Sequence, residues 1–163
     1  MTDEITIQLR VNGIEHTRTV PTRMMLASFL RDELGLTGTK LSCELQVCGV
    51  CTVLVDRKPV SACTFLAADA DASTVQTIEG LATEGALHPI QESFVEHFAF
   101  QCGFCTPGFI MMTDALLERE PQPSTEQIHE WFEGNICRCT GYRPIVEAVH
   151  TAADRMGNEE AKA

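Results

Sequence analysis

The chain has 163 residues, 44% of them hydrophobic, and a formal net charge of -11. That length suits one medium domain or two small ones with packed cores, and the acidity argues against nucleic acid or an anionic membrane surface, both of which call for Lys and Arg patches. No apolar run of about eighteen residues offers a membrane span. The start, Met1-Thr2-Asp3-Glu4-Ile5, lacks the basic and apolar regions of a secretory signal, so the expected location is cytoplasmic. In that reducing compartment eight cysteines are better occupied as metal ligands than as disulfides.

In chain order, Ile5, Ile7, Leu9 and Val11 alternate, Asn12-Gly13 supplies a tight turn, and a second extended run reaches Val20, which predicts a β-hairpin. A short helix follows, with Leu26, Phe29, Leu30 and Leu34 on one face and Gly35 just past its end. The stretch from Thr37 to Cys51 has no periodicity and reads as a loop, with Gly38 and Lys40 at its start. Thr52-Val53-Leu54-Val55, a turn at Asp56-Arg57-Lys58-Pro59 and a return strand to Cys63 make a second hairpin. After Thr77-Ile78-Glu79-Gly80 the period changes from two to 3.6, with Leu81 to His88 as a connection. Four helices are predicted, from Pro89 to about Phe98, Pro107 to about Glu120, Thr125 to Glu133 and Pro144 to about Met156, and the polar tail from Gly157 to Ala163 is expected to fray. The predicted fold class is α+β: a β-grasp, plant-type ferredoxin-like domain over residues 1–79, then a four-helix domain over residues 80–163.

The cysteines divide into two quartets. Cys43, Cys48, Cys51 and Cys63 read C-x4-C-x2-C and then a fourth cysteine beyond the second hairpin, the spacing of a plant-type 2Fe-2S site. Zinc sites favour two separated C-x2-C pairs instead, so this quartet points to iron and sulfide. Cys102, Cys105, Cys137 and Cys139 read C-x2-C, a long gap and C-x-C, a spacing that zinc also accepts. Thr106 can cap and Pro107 can open the helix that follows Cys105, whose positive end favours thiolate and raises the potential of a cluster there. The scattered histidines read as surface or half-buried side chains, and Met111-Met112 as helix core. Neither a Ser/His/Asp set nor paired carboxylates stand out, so substrate chemistry is expected on another chain.

Three strings carry a resemblance: Gly38-Thr39-Lys40 with Cys43 and Cys48-Gly49-Val50-Cys51-Thr52-Val53; Gln101-Cys102-Gly103-Phe104-Cys105-Thr106-Pro107-Gly108; and Gly134-Asn135-Ile136-Cys137-Arg138-Cys139-Thr140-Gly141-Tyr142-Arg143. Over about residues 4 to 156 the chain resembles the small iron-sulfur subunit of the molybdenum hydroxylases, a family of xanthine dehydrogenases, aldehyde oxidoreductases, carbon monoxide dehydrogenases and N-heterocycle hydroxylases. The resemblance implies two 2Fe-2S clusters, one on Cys102, Cys105, Cys137 and Cys139 nearer molybdenum, the other on Cys43, Cys48, Cys51 and Cys63 nearer flavin. It implies that Gln101 and Cys139 lie against the pterin, although a glutamine there can also serve as a loop amide bonding backbone. It further implies an oxidoreductase role as electron-transfer subunit, with a large molybdopterin-binding partner and a medium FAD-binding partner in a heterotrimer or a dimer of heterotrimers. A free-standing two-cluster ferredoxin and a zinc-stabilised module are the alternatives. Three positions depart from the family pattern: Ser42, Gln46 and Arg57 stand where glycine is frequent. A positive φ at Arg57 costs on the order of 1 kcal/mol.

Overall fold

The computed structural model describes residues 3–83 and 85–160. Strands β1 (Glu4–Val11) and β2 (Ile14–Pro21) pair antiparallel along their whole length, from Glu4 opposite Pro21 to Val11 opposite Ile14. The turn between them holds Asn12 at φ 50° and Gly13 at φ 82°. Both values are left-handed, as the twist of a two-residue hairpin requires and as Asn-Gly tolerates. The predicted helix forms as α1 (Leu26–Ser28), which widens into a π-helical turn over Phe29–Glu33 closed by the Leu34 N–H on the Phe29 carbonyl at 3.2 Å. Gly35 follows at φ 72°.

The second hairpin comprises β3 (Thr52–Val55) and β4 (Lys58–Ser61). Its turn is Asp56-Arg57 alone, shorter than the predicted four residues, because Lys58 pairs with Val55 and Pro59 with Leu54. Pro59 is tolerated there since β4 is an edge strand. A strand absent from the sequence reading, β5 (Thr74–Gln76), lies at the centre of the sheet, parallel to β1 and antiparallel to β3, giving the order β2-β1-β5-β3-β4. One face of this sheet packs Ile7, Leu9, Val53 and Val75 against Leu26, Phe29 and Leu30, all nearly inaccessible to water. Burying each large aliphatic or aromatic side chain there contributes about 2 kcal/mol.

The remaining elements are α2 (Pro89–Glu96), α3 (Thr106–Arg119), α4 (Thr125–Trp131) and α5 (Arg143–Glu160). Capping boxes of His88 with Gln91 and Ser124 with Gln127 satisfy the first amides of α2 and α4. The core between these helices joins Phe94, Phe109, Ile128, Ile145, Ala148 and Val149, with the Phe109 and Phe132 rings edge to face at 5.1 Å. Two expectations change. Cys105, not Thr106, occupies the position before α3, and neither residue makes a side-chain cap; the Thr106 hydroxyl is buried without a partner. Helix α5 continues through Gly157 to Glu160 where fraying was expected, while residues 161–163 of that tail lie outside the described residues, as do Met1, Thr2 and Glu84.

Strand β3 is buried on both faces. Val53 and Val55 enter the sheet core, whereas Leu54 turns the other way onto Met111 and Ala115 of α3, beside Ile78 and Trp131. This seam places α3 flat against the sheet. The segment between the sheet and the helices is equally tied down: Asn12 bonds the Thr77 backbone N–H and hydroxyl, and Glu79 accepts from Thr77 and from the Gly38 N–H at 2.7 Å.

Candidate metal centres

The first quartet is assembled by the second hairpin. Cys48 and Cys51 end the loop that enters β3, and β4 returns the chain so that Cys63 stands beside Cys51. The loop curls because Glu44, Gln46 and Gly49 take φ values of 53°, 59° and 65°. Gln46 therefore adopts the left-handed backbone that glycine usually supplies, and its side-chain carbonyl accepts from the Thr64 hydroxyl at 3.1 Å. The Leu45 N–H points at the Cys43 sulfur at 3.4 Å. This amide, followed by that of Val47 and by the Cys48 side chain, holds the Cys43 thiol down at about 6. Cys51 behaves oppositely, since burial above all pushes it up to about 12.

The second quartet sits where two loops meet. Cys102 and Cys105 lead into α3, and Cys137 and Cys139 lie between α4 and α5. Cys102 and Cys139 bring their sulfurs within 3.7 Å, both exposed, while Cys105 stands beside the buried Cys137. Burial, then the neighbouring Cys137, pushes Cys105 up to about 12. Burial also acts against ionisation of Cys137, but the Thr140 hydroxyl at 3.1 Å and the Thr140 N–H at 3.4 Å outweigh it and leave that thiol lowered. The Tyr142 hydroxyl accepts from the Cys137 N–H at 3.0 Å, and Gln101 donates to the Cys139 carbonyl at 3.1 Å.

The predicted ligands come together in pairs within each quartet, and all eight cysteines are free thiols. They stand in four pairs: Cys43 with Cys48, Cys51 with Cys63, Cys102 with Cys139, and Cys105 with Cys137. Among the described residues no three His, Cys, Asp or Glu side chains converge as a single ion requires. Two thiols for each of two irons is the donor set of a 2Fe-2S site. The fit extends to charge: a bare thiolate is disfavoured at buried Cys51 and half-buried Cys105, and a bound cation offsets that cost. Amide and hydroxyl donors onto sulfur, as at Leu45 and Thr140, are the outer contacts that tune such a site.

The chain matches the 2Fe-2S iron-sulfur cluster binding domain over residues 9–81 and the 2Fe-2S binding domain over residues 77–150. It is 48% identical over 157 residues to the nicotine 6-hydroxylase small subunit of Paenarthrobacter nicotinovorans, covering 96% of this chain and 94% of that one. The chain belongs to the small iron-sulfur subunits of the molybdenum hydroxylases. A second member, the 6-hydroxypseudooxynicotine dehydrogenase complex subunit beta of the same organism, is 49% identical over 144 residues, covering 88% of this chain and 90% of that one. The crystal structure of quinoline 2-oxidoreductase from Pseudomonas putida 86 superimposes with a TM-score of 0.93 at 40% identity, over 98% of this chain and 99% of that one. As an oxidoreductase component of this family, the chain is an electron-transfer subunit that works with partner subunits, and molybdopterin and FAD reside on partners in such complexes. That sets aside the free-standing ferredoxin.

Cysteine spacing does not reveal how the two ligand loops touch. The Ile136 N–H, next to Cys137, donates to the Cys48 carbonyl at 3.0 Å, and the Asn135 amide donates to the Gly49 carbonyl at 3.3 Å. Gly108 makes this approach possible, because a Cβ there would stand 2.3 Å from the Gly49 carbonyl oxygen. Gly108 and Asn135 lie inside the strings that carry the family resemblance, but their partners in the other unit cannot be read from spacing.

Proposed function

We propose that Cys43, Cys48, Cys51 and Cys63 hold one 2Fe-2S cluster and Cys102, Cys105, Cys137 and Cys139 the other, within units of residues 1–79 and 80–163. The observation that carries this reading is the set of four thiol pairs, grouped two and two, with the groups joined by the Ile136 to Cys48 backbone hydrogen bond. When bound, each cluster takes up and releases one electron. The protein's part is to fix the pairs, aim N–H and O–H donors at their sulfurs and exclude water from Cys48, Cys51 and Cys63.

Exposure gives the direction. Cys102 and Cys139 open to solvent beside Phe98, Phe100 and Phe104, aromatic side chains left uncovered on this chain. We assign this face to the large molybdopterin-binding partner, with Gln101 and Cys139 toward the pterin. Gln101 already bonds the Cys139 carbonyl, which orders the loop that presents them. The rim of Leu45, 74% exposed, and Val47 faces a medium FAD-binding partner. The assembly is a heterotrimer or a dimer of heterotrimers, located in the cytoplasm; among the described residues no helix is long and apolar enough to cross a membrane. Nicotine and quinoline in the names of two relatives support an aromatic N-heterocycle as substrate of the large partner.

The test is a pair of variants in the purified complex. Cys48→Ser removes one cluster's paramagnetic resonance spectrum and Cys105→Ser the other's. Persistence of both spectra in either variant refutes the grouping.

A further inference from the structure

Arg57 departs from the family pattern at a position where glycine is frequent, and its backbone keeps the glycine-like φ of 64°, next to Asp56 at 47°. A non-glycine pair in the left-handed region is strained. What offsets the strain lies mostly outside the hairpin. The guanidinium spans from β5 to α3: one arm bonds the Gln76 side chain and the Asp114 carboxylate, the latter at 3.0 Å, and Nε reaches Glu118 at 2.8 Å. Asp114 is only 8% exposed while the Arg57 side chain is 44% exposed, so this charge-assisted contact is shielded from water on the α3 side alone. Asp114 and Glu118 are one helical turn apart and share a face. Arginine's planar fork engages the two carboxylates through separate nitrogens.

The location on α3 gives the contact its meaning. Near its first turn, α3 sets Gly108 on the first ligand loop; midway, Met111 and Ala115 pack on Leu54; further along, Asp114 and Glu118 meet Arg57. One rigid rod is therefore fastened to the sheet at successive points, and its first end carries Cys105. We propose that Arg57 is a positioning residue for electron transfer: by pinning the second hairpin to α3 it fixes the separation of the two cysteine quartets. The proposal rests on the quartet assignment given above.

The experiment uses the purified complex and two variants, Arg57→Gly and Arg57→Gly with Asp114→Asn. Glycine suits the turn, so the hairpin is retained; the second variant removes the carboxylate that the first leaves buried and unpaired. One readout is hydrogen exchange at the Ile136 N–H, which bonds the Cys48 carbonyl at the opposite end of the seam. The other is the splitting of the resonance signals when both clusters are reduced, which depends on their separation. In both variants the expected results are parental iron content, exchange at Ile136 faster by about tenfold, or ~1.4 kcal/mol, and a diminished splitting. Parental exchange and splitting in Arg57→Gly would overturn the proposal. So would their recovery in the double variant, because the effect would then belong to the stranded carboxylate. A parent complex lacking two cluster spectra would refute the quartet assignment, while exchange at Ile136 would still decide whether Arg57 fastens the units.

Discussion

Substituting Gly108 by alanine tests the contact between the two units where it is tightest. An ideal Cβ there stands 2.3 Å from the Gly49 carbonyl oxygen and 3.1 Å from that of Val50, both backbone atoms. Restoring ordinary van der Waals separation needs a displacement of about 1 Å. Gly49 cannot yield easily, since its own Cβ position lies 2.5 Å from the Asn135 amide, and the Asn135 and Ile136 bonds hold the same stretch. Overpacking of this kind costs about 1–3 kcal/mol. Alanine in a helix returns up to about 1 kcal/mol relative to glycine. The middle of the first range less the full helix gain leaves an expected net loss of ~1 kcal/mol, which for a chain of this size lowers the midpoint of thermal unfolding by roughly 2–4 °C. Scanning calorimetry of the wild-type and Gly108→Ala complexes measures it, with hydrogen exchange at Ile136 reporting whether the seam has opened. An unchanged or raised midpoint would refute the steric reasoning, because helix propensity alone predicts stabilisation.

Other consequences follow from the hydrogen bonds to sulfur and from the ion pairs. Thr140→Val removes the hydroxyl donor at 3.1 Å from the Cys137 sulfur; losing a donor destabilises the more negative, reduced site, so a redox titration should show one cluster potential falling by ~30–60 mV, an equilibrium change of up to tenfold. An unmoved potential would mean that the bond does not reach the site. Glu96 is held below the usual carboxylate range by hydrogen bonding with Arg155, which ties α2 to α5. A depressed folded-state value contributes stability above the unfolded carboxylate range that is lost as pH falls through the folded value, so acid unfolding of Glu96→Gln should be less steep in that window than that of the parent. Equal steepness would show that the exposed pair contributes nothing.

Much of this architecture was legible where chemistry is local. Asn12-Gly13 marked the first hairpin, proline near the first turn marked α2, α3 and α5, and cysteine spacing separated the quartets before any contact was known. Strand β5 was not legible, because three residues hold too little alternation to register, and its place between β1 and β3 is a long-range pairing. Two of the three departures from glycine take a positive φ, Arg57, where that strain was anticipated, and Gln46, where it was not. Their compensations, Thr64 for one and Gln76, Asp114 and Glu118 for the other, are distant in sequence and appear only in the fold. The same holds for the seam at Gly49, Gly108 and Asn135, where the determinant is how closely two backbones approach. Spacing alone could not separate iron from zinc at the second quartet; the 2Fe-2S binding domain matched over residues 77–150 is what supports iron and sulfide there.

Elemental analysis of the complex isolated from its native host through a tag at the C-terminus decides whether this chain carries two 2Fe-2S clusters for a molybdenum-containing partner. About four Fe per Mo are expected, two for each cluster. Iron without molybdenum or companion chains, or zinc in place of iron, would contradict that reading.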